Sequence, residues 1–226
     1  MSIGMSLPLV RIISHCLFDG WVIIGRDRKK SGKEYKSYSV GYSNKNKVLV
    51  DQFIEDMRDV FGIEPTTFRL RKREVYEVEY KYKNVVNFLL NCIPSFSTRC
   101  ESNKVKVPEE VFKDTEKIIT FLKAFWDDEG NVNYYPPDTR KLRAPCSLNR
   151  FLRNDILLLH HELGVNARDD GKYIIITNKE SFTKFEQLIG FTDGVLVGKN
   201  KVGVSRWFGT SKNKVLNLML NSYKRK

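Results

Sequence analysis

Hydrophobic and polar positions alternate along this chain in two rhythms, one helical and one strand-like, and the same order of rhythms is written twice. Residues 8–19 predict an amphipathic helix, with Ile12, Ile13, Cys16 and Leu17 on its apolar face and Pro8 in its first turn. Period-two segments follow: WVIIGRDRK from Trp21, a Gly/Ser/Lys hinge at residues 30–33, then YKSYSVGYS. There Tyr38, Val40 and Tyr42 alternate with Ser37, Ser39 and Gly41, which predicts a sheet with one apolar and one small, polar face. Residues 44–61 return to helical spacing through Val50, Phe53, Ile54, Met57, Val60 and Phe61, and Gly62 stops them. A hairpin, TTFRLRKRE and VYEVEYKYK, and a short helix at 84–93 complete the series before Pro94.

Residues 95–114 hold no sustained period and read as a linker between halves, after which the order repeats. A helix with Phe121, Leu122, Phe125 and Trp126 on one face ends at Gly130, read as a left-handed cap. Then come a strand at 131–135, a turn with Pro136 and Pro137, and the strand KLRAPCSLN, with Leu142, Ala144, Cys146 and Leu148 on one face. A helix at 150–163 stopped by Gly164, a hairpin turning on Asp170 and Gly171, and a closing helix at 181–189 finish the copy. The fold class is therefore α+β, with two tandem αββαββα repeats at 6–94 and 115–190. Residues 191–226 form a basic tail whose Leu216, Met219 and Leu220 suit docking against the body and whose lysines suit phosphates.

The two repeats share a feature that periodicity does not require. FLKAFWDDEGNV crowds Asp127, Asp128 and Glu129 into a helix C-terminus, where the dipole already disfavours acids, so a compensating cation is expected. RIISHCLFDGWV has the same anatomy: aligning Gly20 with Gly130 aligns Asp19 with Glu129 and the small Ser14 with Ala124. These paired stretches resemble the two signature helices of the LAGLIDADG homing endonucleases in their single-chain form. The second copy matches closely and the first is degenerate, with Leu17 where the family often has an earlier acid.

That resemblance implies motif helices crossing at a pseudo-two-fold axis and two antiparallel sheets forming a saddle for duplex DNA. It further implies Asp19 and Glu129 as catalytic, metal-binding carboxylates, each serving one strand with Mg²⁺ or another divalent cation such as Mn²⁺. The expected function is a monomeric, site-specific homing endonuclease making a staggered double-strand break by metal-dependent phosphodiester hydrolysis. Asn44 and Asn149, at the starts of the second helices, and Lys199 or Lys201, after the last, are the supporting residues that the same resemblance implies. The rival reading is a non-cleaving protein of the same fold that binds intron RNA or DNA as a splicing cofactor (maturase). A more distant one is a basic nucleic-acid or ribosome-associated protein whose acids are ordinary caps.

Composition narrows the partner. A formal net charge of +12 over 226 residues points to a polyanion. No apolar run approaches the roughly 20 residues that span a bilayer, and no secretory signal is read at the start, so a microbial cytosol or an organelle is expected. Cys16, Cys92, Cys100 and Cys146 show no zinc-like spacing, and with His15, His160 and His161 no structural metal is expected. In RLRKR, Arg69, Arg71 and Arg73 are read as projecting from one strand face. Together with Arg26, Arg28, Lys141, Arg143 and Arg168 they are the expected DNA-binding bases.

Overall fold

The structure is a computed structural model describing residues 4–28, 32, 34–98, 104–137, 139–145, 149–198 and 205–223. Its first half runs α1 (Leu7–Phe18), β1 (Gly20–Arg28), β2 (Glu34–Asn44), α2 (Lys47–Phe61), β3 (Thr67–Arg71), β4 (Val75–Tyr80) and α3 (Lys83–Cys92). The second half repeats it as α4 (Thr115–Glu129), β5 (Asn131–Tyr135), β6 (Thr139–Pro145), α5 (Arg150–Glu162), β7 (Arg168–Asp169), β8 (Tyr173–Ile176) and α6 (Lys179–Leu188). A seventh helix, α7 (Lys212–Asn221), follows. Each half builds one four-stranded antiparallel sheet of matching order, β1-β2-β4-β3 and β5-β6-β8-β7.

Strand register fixes which residues share a face. Val22 pairs with Val40, Val40 with Tyr80 and Tyr42 with Val78, and all five are buried beneath the helices. In the second sheet Val132, Leu142, Ala144, Ile174 and Ile176 do the same. The opposite faces carry Ser39, Gly41 and Ser43 in one sheet and Asn131, Asn133, Lys141 and Arg143 in the other. Polar residues with period two thus leave one side of each sheet clear of the helices.

The core is organised around α1 and α4, which pack against each other. Ser14 is fully buried at this contact and its hydroxyl donates to the Phe121 carbonyl at 2.9 Å, while Ala124 is also buried. Small side chains here let the two backbones come close, and the Phe18 ring packs on Phe121 and Phe125 at 6.1 and 4.8 Å between centroids.

Several boundaries differ from the sequence reading. Asn44 ends β2, so α2 begins three residues later with Asn46 in the N-cap position. β3 stops at Arg71, and the chain turns with Arg73 and Glu74 at φ 68° and 58°, so Arg73 lies on the turn and only Arg69 and Arg71 share the strand face. Gly130 is not a left-handed cap: its φ of −74° and ψ of 144° are extended. Its requirement is steric, because a Cβ there would lie 2.4 Å from the Trp126 carbonyl oxygen. Gly20 repeats this, with an added Cβ 2.5 Å from the Gly41 carbonyl oxygen. The segment joining the halves is docked: Val105, Val107 and Val111 are buried, and the Val107 amide donates to Asp155.

Candidate active site

Because α1 and α4 cross side by side, their C-termini open onto one cleft of about 440 Å³. Its lining takes Asp19 from the end of α1 and Asp127, Asp128 and Glu129 from the end of α4. Asn44 and Val75 enter from the first sheet, Asn131 and Pro145 from the second, so the cleft sits where the halves meet. Asn44 Nδ2 donates to Asp19 Oδ2 at 2.9 Å, and the same amide lies 3.4 Å from Asp128 Oδ1.

The acids divide into two kinds. Asp128 is turned into the protein: its side chain has no exposure, the Tyr42 hydroxyl donates to Oδ1 at 2.5 Å, and His15 Nδ1 lies 2.8 Å from Oδ2. Burial pushes the His15 pKa down to about 4, which keeps that ring neutral at physiological pH. Asp127 accepts the Thr192 amide at 2.9 Å and is also buried. Asp19 and Glu129 are the acids whose side chains remain partly open to the cleft. Burial first, then the neighbouring Asp128, pushes Asp19 up to about 7. Burial and then Asp19 push Glu129 up to about 8, so the two carboxyls share one field.

Such a pair is short of positive charge, and it fits a hard divalent cation. Among the described residues no three histidine, cysteine or carboxylate side chains converge into a ready-made metal cage. Two carboxylate ligands with the remaining positions left to water and phosphate oxygens is a donor set that suits Mg²⁺.

No protein-family model matches the sequence, and neither does any curated protein. Solved structures do. One is a variant of I-DmoI in complex with its target DNA and Mn, 16% identical, with a TM-score of 0.59 over 83% of this chain and 95% of that one. I-DmoI in complex with DNA and Mn gives 0.58 at 17% identity over 82% and 97%. A variant of I-SmaMI gives 0.54 at 10% identity over 96% and 92%. Full-length DUF199/WhiA from Thermatoga maritima gives 0.54 at 14% identity, over 98% of this chain and 62% of that one. The chain has the LAGLIDADG fold.

Within that LAGLIDADG fold the expected bases fall into distinct positions. Lys141, Arg143 and Arg168 lie on the helix-free face of the second sheet, with Arg143 stacked over the Tyr173 ring at 5.0 Å. Arg69 and Arg71 lie on the helix-free face of the first sheet, where Arg71 pairs with Glu77 at 2.7 Å. Trp21 lies over Gly41 on that face and donates to Ser39, whose hydroxyl donates in turn to Glu79. Arg26 falls on the opposite face, the one shared by Val22, because the register puts it across from Lys36. Arg28 is the last residue of β1.

The supporting residues separate as well. Asn44 reaches the acids, whereas Asn149 caps α5 by accepting the Phe151 and Leu152 amides at 2.9 and 3.1 Å. Lys199 and Lys201 lie outside the described residues. The residues that sequence reasoning missed are Tyr42, His15 and above all Lys212, whose ammonium is buried beneath the end of α4. Only an indirect signal pointed to that lysine: three acids close α4 and no basic residue stands in its last turn.

Proposed function

We propose that this chain is a metal-dependent, site-specific DNA endonuclease that acts as a monomer and makes a staggered break in a long duplex target. One observation carries the reading: Asp19 and Glu129, 110 residues apart in sequence, line one cleft from the ends of two crossing helices, between two sheets with helix-free polar faces. The solved structures of this fold that contain DNA together with Mn support the same reading.

Asp19 and Glu129 would hold the divalent cations, Mg²⁺ or Mn²⁺. A cation bound there supplies Lewis-acid stabilisation of the phosphate and lowers the pKa of a bound water. The chain's own groups do the rest. Asn44 holds the Asp19 carboxylate by one oxygen and leaves the other open. Tyr42 and His15 hold Asp128 away from solvent, so it does not compete for the ligand positions. Lys141, Arg143 and Arg168 bind the duplex backbone, while Arg69 and Arg71 reach base edges in the other half-site from the helix-free face of the first sheet.

The test is incubation of the purified chain with a randomised duplex library, with and without Mg²⁺, followed by sequencing of cut ends. Metal-dependent double-strand cuts at one long site are expected, and Asp19→Asn or Glu129→Gln should remove cutting while leaving duplex binding within about twofold, since neither carboxylate binds the backbone. Enrichment of bound duplex without any cut would replace this reading with the non-cleaving binder.

A further inference from the structure

The matching helices α2 and α5 both begin with an asparagine, and only one of the two is used as a cap. Asn46 and Asn149 stand at the N-cap with nearly equal backbone angles, φ −81° and ψ 101° against φ −82° and ψ 107°. Asn149 does what asparagine ordinarily does there, accepting amides of its helix's first turn. The side chain of Asn46 makes no cap bond, although its backbone is set for one. A helix that forgoes its cap loses stability, so the bonds Asn46 makes instead have to offset that loss.

Those bonds form a one-way chain of amides that ends in the cleft. Asn46 Oδ1 accepts the Leu196 amide at 2.9 Å, from 150 residues further along the sequence. Asn46 Nδ2 donates to Asn44 Oδ1 at 3.2 Å, and the Asn46 backbone amide donates to the same oxygen at 2.9 Å. With Oδ1 held by two donors, Asn44 turns its Nδ2 toward the acids and donates to Asp19. The flipped amide would set its oxygen against a carboxylate. Each side chain therefore fixes the orientation of the next, starting from a backbone N–H that has only one sense.

The starting point is anchored on both sides. Val195 and Val197, which flank Leu196, are buried, and the Val197 amide donates to the Thr210 carbonyl at 2.9 Å. Leu196 itself bridges to Ser211, directly before α7, and α7 packs on β5 and α6 of the second half. Gly194 faces the first half, where an added Cβ would lie 3.6 Å from Val48 Cγ1 in the first turn of α2. The segment between α6 and α7 thus ties the second repeat to the helix that follows Asn44.

Resting on the nuclease reading of the cleft, we infer that Asn46 is a positioning residue: it passes the orientation set by the Leu196 amide to Asn44, and so fixes the Asp19 carboxylate from the C-terminal segment. The device is one-sided. Among the described residues no hydrogen bond holds the Glu129 carboxylate, which burial and neighbouring charges alone perturb. Losing the relay should therefore disturb the strand that Asp19 serves and spare the other.

Two measurements on the full chain test this with Asn46→Ser, since serine can still cap α2 but is too short to bridge Leu196 and Asn44. The first needs neither metal nor DNA: hydrogen exchange of side-chain amides followed by NMR, with the Asn44 signals identified by their loss in Asn44→Ala. The Asn44 amide protons should exchange roughly five- to tenfold faster in Asn46→Ser, while the backbone amides of α2 keep their rates. An unchanged Asn44 rate would overturn the inference, and so would an acceleration shared by all of α2, which would mean only a loosened helix start.

The second is cleavage, with Mg²⁺, of a supercoiled plasmid carrying the target that the library selection yields. Asn46→Ser should raise the ratio of nicked circle to linear product roughly tenfold, because one carboxylate has lost its alignment and the other has not. Equal slowing of both strands, or of neither, would overturn the inference. If wild type cuts no duplex, the nuclease reading fails, and the exchange measurement still decides whether Asn46 orients Asn44.

Discussion

The helix that carries Glu129 is tied to α5 by one buried pair, and that pair makes the fold sensitive to acid. Trp126 Nε1 donates to His160 Nε2 at 2.8 Å, and His160 Nδ1 lies 2.7 Å from the Ile156 carbonyl. The network therefore assigns the neutral ring with its proton on Nδ1, since Nε2 must accept. Burial lowers the His160 pKa from 6.5 to about 4. Between those values the unfolded chain binds the proton and the folded one does not, so stability falls as pH falls. At about 1.36 kcal/mol per pKa unit, lowering the pH from 7.5 to 4.5 removes about 2.5 kcal/mol through this one group. Urea unfolding of wild type and His160→Gln at both pH values measures it. Glutamine can still accept from the indole, and His15, also lowered to about 4, is present in both proteins and cancels in the difference. The wild-type advantage over the variant should shrink by about 2.5 kcal/mol at pH 4.5. An equal difference at both pH values would refute the assignment of His160 as a buried neutral acceptor.

Gly130→Ala should destabilise by about 1–3 kcal/mol, because the added Cβ meets the Trp126 carbonyl and indole, and a thermal melt checks it. Ser14→Leu should cost about 2–4 kcal/mol from overpacking the helix crossing and losing the bond to Phe121. Unchanged stability there would mean that α1 and α4 are not in close contact. Lys141→Ala and Arg143→Ala should each lower the salt slope of duplex binding by about 0.9, read from binding isotherms across salt concentrations. Unchanged slopes would take that sheet face out of the interface.

Much of the fold was legible because it rests on local rules. The period of Tyr38, Val40 and Tyr42 placed their strand and its buried face, and all three pair as an antiparallel strand requires. Asp170 and Gly171 marked a hairpin, where Gly171 adopts a φ of 90°. The misread details came from contacts that the local pattern does not encode. Arg73 continues the alternation in RLRKR, yet the hairpin closes there with two left-handed residues. Arg26 was expected among the DNA-binding bases with its strand phase open, and the register with Lys36 puts it on the face shared by Val22. Gly130 looked like a left-handed cap, although what it avoids is a clash with the Trp126 carbonyl.

The candidate site was half legible. Asp19 and Glu129 stood out because each precedes a glycine at the end of an apolar helix, and a repeat is visible without coordinates. Asp127 and Asp128 stand further from Gly130 and read as helix-end neighbours, but where their side chains go was decided by the fold, which sends one to the Thr192 amide and the other to Tyr42 and His15. Asn44 and Asn149 likewise precede matching helices, yet one reaches the acids and the other is consumed as a cap.

The sequence alone determined the period of each element, the doubled order and the two acids before glycine, since backbone preference and amphipathic spacing act over a few residues. Tertiary structure decided which acid faces the cleft and which base faces outward. It also decided that the charge offsetting the end of α4 is Lys212, because electrostatic partners are chosen by distance in space and the chain brings them together only when it folds.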